Sequence, residues 1–140
     1  MADFPELTLP QMLRAHAEAT PDQVAVLQKD FGIWNPLTWR QYHERACDVG
    51  EGLLALGLGE GGHVAILSEN RVEWVLAQLG ANIVGGVAIG VYPTSPANEV
   101  GYVLEHSDSE IIVCEDQEQL DKVIEVRDQL PKARPAAATA

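Results

Sequence analysis

Two adjacent carboxylates, Glu115 and Asp116, are the residues of this sequence best placed for chemistry. They follow the apolar run EIIVC, which is typical of a buried strand. Ligands of open α/β sheets bind at the carboxyl ends of the strands, and Mg²⁺ prefers carboxylate oxygens. The two residues also suit the first turn of a helix, where negative charge interacts favourably with the helix dipole. The sequence leaves a polar site and a helix-start role as alternatives.

The glycine-rich segment GLGEGG matches the spacing G-x-G-x-x-G at Gly57, Gly59 and Gly62. That fingerprint binds pyrophosphate only where a strand ends at the glycines and a helix begins there. Here a helical pattern precedes the glycines and a strand pattern follows them, so no helix amides face a phosphate. The later segment GGVAIG lacks the Lys-Ser/Thr ending of a phosphate loop. Both segments are predicted to be turns at helix ends.

Histidines and serines give no catalytic pattern. The four histidines have no spacing that places two of them on one helix face, so they predict no metal site. Ser68 follows a strand, but no G-x-S-x-G elbow surrounds it, and a hydrolase nucleophile is not expected. We therefore assign no catalytic, cofactor-binding or metal-binding residue from the sequence. The histidines are His16, His43, His63 and His106.

Net charge restricts the partners of this 140-residue chain, because nine Lys and Arg against 21 Asp and Glu leave a formal charge of -12. Such a field repels nucleic acids and anionic lipid surfaces. Cys47 and Cys114 lie far apart in apolar patterns, which is typical of buried free thiols in a reducing compartment. No secretory leader and no apolar run of transmembrane length occur, so we expect a cytoplasmic protein without a membrane span.

Apolar periodicity predicts an α/β fold. Residues 9–19 and the stretch after Thr38 follow helical stripes, and between them lies a hairpin that turns at Asp30-Phe31-Gly32. Three apolar runs, HVAILS, VAIGV and EIIVCE, then alternate with helical patterns, which is typical of strands covered on both faces. The pattern predicts three layers, with a mainly parallel sheet between flanking helices. The predicted helix starts are Thr38 with Gln41, Asn70 with Glu73, and Ser95 followed by Pro96.

The end of the sequence differs from the rest in composition. After the last helical pattern, QEQLDKVIEVRDQL, the chain turns to Pro and Ala without apolar periodicity. We therefore predict a domain over residues 1–130 and a disordered tail over residues 131–140.

Most of the chain carries a family resemblance. The segment VAILSENRVEWVLAQLGANIVGGVAIGVYPTSPANEVGYVLEHSDSEIIVCEDQEQLDKV closely resembles the N-terminal part of adenylate-forming acyl-CoA synthetases, in particular those that act on long-chain fatty acids. The upstream segment LTWRQYHERACDVGEGLLALGLGEGGHVAIL resembles the first helix and strand of the same family. The likeness covers about residues 7–130 and implies a portion of the large N-terminal domain of the adenylate-forming (AMP-binding) ligase fold.

The resemblance implies a two-step ligase chemistry for the full-length family. ATP and magnesium activate a fatty acid to an acyl-adenylate, and the acyl group then passes to the thiol of CoA. The family's Ser/Thr/Gly-rich phosphate loop, aromatic-Thr-Glu motif, ribose-binding Asp and catalytic Lys have no counterpart in this sequence, and the family pattern is expected to end near Ala133. The resemblance thus implies an N-terminal fragment that binds no cofactor itself and is inactive alone.

Two other hypotheses fit the same residues. In the first hypothesis, the chain is a small stand-alone interaction module whose acidic face or exposed sheet edge binds a partner or a second copy. In the other it is a receiver-type regulatory domain that binds magnesium through Glu115 and Asp116. The strand ends at Ser68 and Tyr92-Pro93 offer no second acidic cluster, which disfavours that domain type.

Overall fold

The computed structural model describes residues 6–131 and the backbone of residues 134–135. A first helix and a hairpin precede an alternating series of strands and helices, as the periodicity predicts. The helices are α1 (Leu9–Ala19), α2 (Trp39–Ala55), α3 (Val72–Ile83), α4 (Ala97–His106) and α5 (Gln117–Val126), with a 3₁₀ turn at Arg127–Gln129. The strands are β1 (Val24–Asp30), β2 (Ile33–Thr38), β3 (His63–Leu67), β4 (Val87–Val91), β5 (Ile111–Cys114) and β6 (Arg134–Pro135).

The main sheet has the strand order β4-β3-β5-β6, and all of its pairings are parallel. Strand β3 lies between β4 and β5, so Leu67 pairs with Val91 on one side and with Cys114 on the other. Residues 64–67 of β3 are fully buried, which is why this strand is apolar without alternation. The predicted parallel α/β sheet is confirmed.

Helices cover both faces of this sheet. On one face, buried residues of β3, β4 and β5, including Ala65, Leu67 and Ile112, pack against Val100 and Leu104 of α4 and against α5. On the other face, Val64 and Ile111 pack against α2 and α3. These two cores confirm the three-layer arrangement.

Helices α2 and α3 approach each other closely at a pair of glycines. A Cβ atom at Gly80 would lie 2.7 Å from Val49 Cγ1 and 3.0 Å from the backbone nitrogen of Gly50. Helix α1 packs on this pair through Leu13, and the ring of His16 stacks on Trp39 with centroids 4.4 Å apart. The glycines at this crossing therefore allow α2 and α3 to pack closer together than larger residues would.

One predicted helix start is confirmed and two are wrong. Thr38 and Gln41 form the predicted capping box of α2. Helix α3 has Arg71 at its N-cap, not Asn70, and its first amide, from Val72, donates to Gln28 Oε1 of β1 at 3.0 Å. This contact joins residues 44 positions apart, which a local pattern does not reveal.

The start of α4 also differs from the prediction. Pro96 is the N-cap, and its side chain offers no capping hydrogen bond. Ser95 lies in the preceding turn, where its backbone amide donates to the carbonyl of Tyr92 at 3.1 Å. The serine therefore closes the turn after β4 and does not cap the helix.

The segment predicted as a disordered tail is described only in part. Arg134 and Pro135 pair in parallel with Ile111 and Ile112 and so extend the sheet by a short strand, β6, where no regular structure was expected. Residues 132–133 and 136–140 lie outside the described residues. The sheet thus continues past residue 130, the predicted domain boundary.

Candidate ligand site at the carboxyl edge of the sheet

The carboxyl ends of β3, β4 and β5 bring three sequence-selected positions to one edge of the sheet. Ser68 follows β3, Tyr92 follows β4 and Glu115 follows β5. Because the strands are parallel, this edge is where an α/β sheet offers a ligand crevice. The polar groups at the edge decide whether the crevice is free for a ligand.

Glu115 is engaged by its own chain. Its Oε2 atom accepts a hydrogen bond from Ser68 Oγ at 2.9 Å and another from the backbone amide of Glu69 at 2.5 Å. The amide of Glu115 in turn donates to the carbonyl of Leu67 at 3.2 Å. These bonds join the ends of β3 and β5, and Ser68 is buried beneath them. Glu115 therefore acts as a structural clamp.

Asp116 takes the helix-start role that the sequence offered as an alternative. Its carboxylate caps α5 by accepting from the backbone amide of Gln119 at 3.0 Å. Within residues 6–131, no three His, Cys, Asp or Glu side chains are grouped so that they could hold a metal ion. Glu115 and Asp116 thus accept hydrogen bonds from two different backbone amides, those of Glu69 and Gln119.

The corner YPTSP after β4 is held by a lysine of α5. Lys122 Nζ donates to the carbonyl oxygen of Pro93 at 2.5 Å and to Gln119 Oε1 at 3.0 Å. Tyr92 itself is exposed. The ammonium group of Lys122 consequently ties α5 to the backbone of this corner.

An apolar cleft of about 310 Å³ opens beside the clamp, between α2, α3 and the sheet. Its walls are almost entirely apolar, and its rim carries the guanidinium of Arg71 and the carboxylates of Glu73 and Glu115. Arg71 Nε lies 3.4 Å from Glu73 Oε2, which is buried and accepts no hydrogen bond. The apolar walls are Val49, Gly52, Leu53, Leu56, Ile66, Trp74, Leu76, Ala77, Ile111, Val113 and Cys114.

Trp74 separates this cleft from a smaller, more polar hollow of about 230 Å³ that Ser68, Asn70, Gly90 and Tyr92 help to line. The structure leaves Trp74 half-buried at the junction of two cavities. Gly90 leaves room for the ring, because a Cβ there would lie 3.3 Å from the indole, and no local pattern in the sequence indicates this contact.

Neither cysteine is an activated nucleophile. Burial, with a further effect of Asp116, raises the pKa of the Cys114 thiol from 9.0 to about 11. Burial and the charges of Asp48 and Glu51 also raise the pKa of Cys47. Both thiols are free and stay protonated at neutral pH, which makes them poor nucleophiles.

The glycine segment forms a turn, and the histidines are dispersed over the fold. GLGEGG connects the end of α2 to the start of β3, with Gly57 and Gly61 at positive φ, so it presents no helix N-terminus to a phosphate. The histidines lie in four separate places: His16 on Trp39, His43 near Cys47, His63 against the carbonyl of Ser107, and His106 on Tyr102.

The parallel sheet with helices on both faces defines the class of the protein as a three-layer α/β domain. The model of the family described as "AMP-binding enzyme" matches residues 13–139. The chain therefore belongs to the AMP-binding enzyme family. The match includes residues beyond Ala133, so the expectation that the family pattern ends there is wrong.

Curated relatives agree with this assignment, and a solved structure agrees with the fold. The chain is 36% identical over 131 residues to the long-chain-fatty-acid–CoA ligase ACSBG2 of Xenopus laevis, which covers 94% of this chain but 18% of that ligase. It is 32% identical to the uncharacterized protein Rv1549 of Mycobacterium tuberculosis, covering 83% of this chain and 65% of that protein. The fold matches the anthranilate CoA ligase AuaEII in complex with anthranoyl-AMP at a TM-score of 0.83 and 24% identity, over 92% of this chain and 24% of that one.

Proposed function

We propose that this chain forms the N-terminal part of the AMP-binding domain of a long-chain-fatty-acid–CoA ligase. The observation that carries the proposal is the family match over residues 13–139, together with the similarity to the Xenopus ligase. The complete enzyme would activate a fatty acid with ATP and magnesium and transfer the acyl group to CoA. The chain spans less than one fifth of that ligase, so these substrates and cofactors are proposed for the whole enzyme.

Within that enzyme, the described residues supply the scaffold. Activating a carboxylate with ATP requires backbone amides and a cation aimed at the developing phosphate charge. The sequence contains no phosphate loop, and at the carboxyl edge Glu115 and Lys122 are bound to their own chain. We therefore propose that the chain does not turn over ATP by itself.

An assay of fatty-acid-dependent AMP release tests whether the chain turns over ATP by itself. The purified chain is incubated with ATP, magnesium, oleate and CoA, with the Xenopus ligase as the positive control. We expect AMP release at the background rate, with or without oleate. Oleate-dependent AMP formation by the chain alone would refute the proposed scaffold role.

A second candidate is a stand-alone module that associates through the β4 edge of the sheet. Strand β4 is the outer strand of the order β4-β3-β5-β6, and its sequence, VAIGV, carries no charge or proline to discourage pairing. Val87 on this strand is 45% exposed. The relative in Mycobacterium tuberculosis, of which this chain covers 65%, favours the candidate because it is far shorter than the ligases.

Light scattering after gel filtration tests that edge. If β4 pairs with a second copy, Val87→Lys converts a dimer to a monomer, because a lysine on an edge strand opposes pairing. The exchange Ile124→Lys on α5 is the matched control, since Ile124 is exposed but lies away from the edge. A chain that is monomeric before substitution excludes self-association through β4.

We also propose a cytoplasmic location, which the two free thiols support because reduced cysteines suit that compartment. Among the residues described, no helix combines the length and the apolar character needed to cross a bilayer. Fractionation of cells that express a tagged chain tests the location, and recovery from a secretory fraction would contradict it.

A further inference from the structure

The hairpin of β1 and β2 exposes large apolar side chains around its turn, here called the hairpin tip and defined as Phe31, Ile33 and Trp34. Phe31 is 98% exposed, Ile33 66% and Trp34 59%. Single exposed apolar residues are normal, but three large ones around one turn mark a candidate contact surface.

The base of the hairpin is fixed to the rest of the molecule. Leu37 is buried, and Gln28 Oε1 accepts from the backbone amide of Val72 at 3.0 Å. The amide of Trp39 donates to the carbonyl of Gln23 at 3.0 Å. The hairpin tip is therefore carried on an element whose base is anchored to the rest of the chain.

The turn holds Phe31 in an unfavourable backbone conformation. Phe31 has φ of 46° and Gly32 has φ of 82°, which matches a two-residue hairpin turn with both central residues left-handed. Asn, Asp or Gly ordinarily occupies the first of these positions, because a bulky side chain is strained there. The chain thus keeps an aromatic ring at a strained position where it makes almost no intramolecular contact.

Charge distinguishes the hairpin from the rest of the surface. Residues 22–40 contain two acidic and two basic side chains, whereas the whole chain has a formal charge of -12. Arg40 pairs with Asp22 at 3.3 Å, and Lys29 Nζ lies 5.6 Å from the ring centroid of Trp34. The hairpin is therefore a locally neutral apolar projection from an acidic protein.

We propose that the hairpin tip inserts into the interface of a zwitterionic phospholipid bilayer. Phe31 and Ile33 enter the boundary of the acyl chains, while Trp34 lies at the level of the headgroups, where tryptophan is enriched. Lys29 extends its ammonium group toward the lipid phosphates. A fluid interface accepts a projecting turn without a complementary groove, and local neutrality makes a zwitterionic surface compatible with an acidic chain. The proposal is independent of the proposed ligase function.

Flotation with vesicles of dioleoylphosphatidylcholine tests the insertion. We expect the 140-residue chain to float with the vesicles and to remain bound at about 0.5 M salt, because apolar insertion is not screened. Phe31→Asn is the informative variant. It creates an Asn-Gly turn suited to the observed backbone, so it should raise stability while weakening vesicle binding about tenfold.

Two matched variants test whether vesicle binding depends on the hairpin tip or on any exposed aromatic side chain. Trp34→Ser should weaken binding to a similar degree, whereas Tyr102→Ser, which removes an exposed aromatic from α4, should leave it unchanged. In wild type, brominated lipid should quench part of the tryptophan emission, and this part should be missing in Trp34→Phe.

Three outcomes would overturn the proposal. The first is the absence of wild-type flotation, and the second is equal flotation of wild type and Phe31→Asn. The third is a wild-type dimer that Phe31→Asn converts to a monomer while neither protein binds vesicles. That last result would identify the hairpin tip as a contact between two copies of the chain.

Discussion

The carboxyl edge of the main sheet and the β1–β2 hairpin differ in where their functional groups find partners. At the sheet edge, Glu115 and Asp116 are bonded to Ser68 and to backbone amides of their own chain. At the hairpin, Phe31 and Trp34 face solvent. The general rule for α/β sheets directs attention to the edge, yet the exposed apolar surface that we propose as a contact lies on an element outside the sheet.

The largest expected effect lies behind the sheet, at the crossing of α2 and α3. Gly80→Ala should lower the free energy of unfolding by about 2 kcal/mol, because the new Cβ would overlap Val49 and the backbone of Gly50. Gly52→Ala is the control, since a Cβ there meets nothing within 4 Å; it should raise stability by roughly 0.5–1 kcal/mol. Urea unfolding measures both. Equal effects of the two substitutions would argue against the close crossing.

The clamp at the sheet edge should come next in size. Glu115→Ala leaves the Glu69 amide without its acceptor and the Ser68 hydroxyl with the carbonyl of Glu69 alone, so we expect a loss of roughly 1–2 kcal/mol. Glu125→Ala removes an exposed carboxylate from α5 and should change stability by less than about 0.5 kcal/mol. Thermal unfolding of both variants makes the comparison. If Glu115→Ala left the stability unchanged, Glu115 would not act as a clamp, and its carboxylate would again be a candidate ligand group.

A smaller effect should appear at alkaline pH. Because burial raises the pKa of Cys114 from 9.0 to about 11, the native state favours the protonated thiol. Its contribution is fully present below pH 9 and is lost as the pH rises toward 11, since the unfolded chain ionises first. Urea unfolding between pH 8 and 10.5 should show this decline in wild type and a shallower one in Cys114→Ala. Identical slopes would contradict burial of the thiol.

The smallest effect on stability should come from the hairpin. Trp34→Ser removes an exposed ring whose described partner is Lys29, so the free energy of unfolding should change by about 0.5 kcal/mol or less. Trp39→Ser is the contrasting control, because Trp39 is half-buried and stacks on His16; we expect a loss of about 1–2 kcal/mol. A large cost at Trp34 would mean that its ring has a structural role.

Local patterns in the sequence predicted the fold well where the stabilising contacts are local. The capping box of Thr38 and Gln41 is an interaction between residues three positions apart, and it is confirmed. The start of α3 was misplaced because its first amide is bonded to Gln28, 44 positions away. The start of α4 was misplaced because Ser95 forms the preceding turn instead. Helix existence thus followed from periodicity, while helix ends depended on tertiary contacts.

The sequence predicted which residues lie at the candidate site but not the contacts that they make there, because those contacts are tertiary. Chain order alone places Ser68 and Glu115 at one edge of a parallel sheet. Two features of the site depend on how far the helices lie from the sheet, which the sequence does not indicate. They are the hydrogen bond from Ser68 to Glu115 and the position of Trp74 beside the cleft. The exposure of Phe31 was open to prediction, because a turn at Asp30-Phe31-Gly32 leaves its central residue outside the core.

The central position of β3 has a consequence for the newly made chain. Its partners come later in the sequence: Leu67 pairs with Val91, 24 positions on, and with Cys114, 47 positions on. At synthesis rates of about 5–20 residues per second, the strand that becomes most deeply buried waits seconds for its first neighbour. Until then the apolar run HVAIL lacks the strands that cover it in the folded chain.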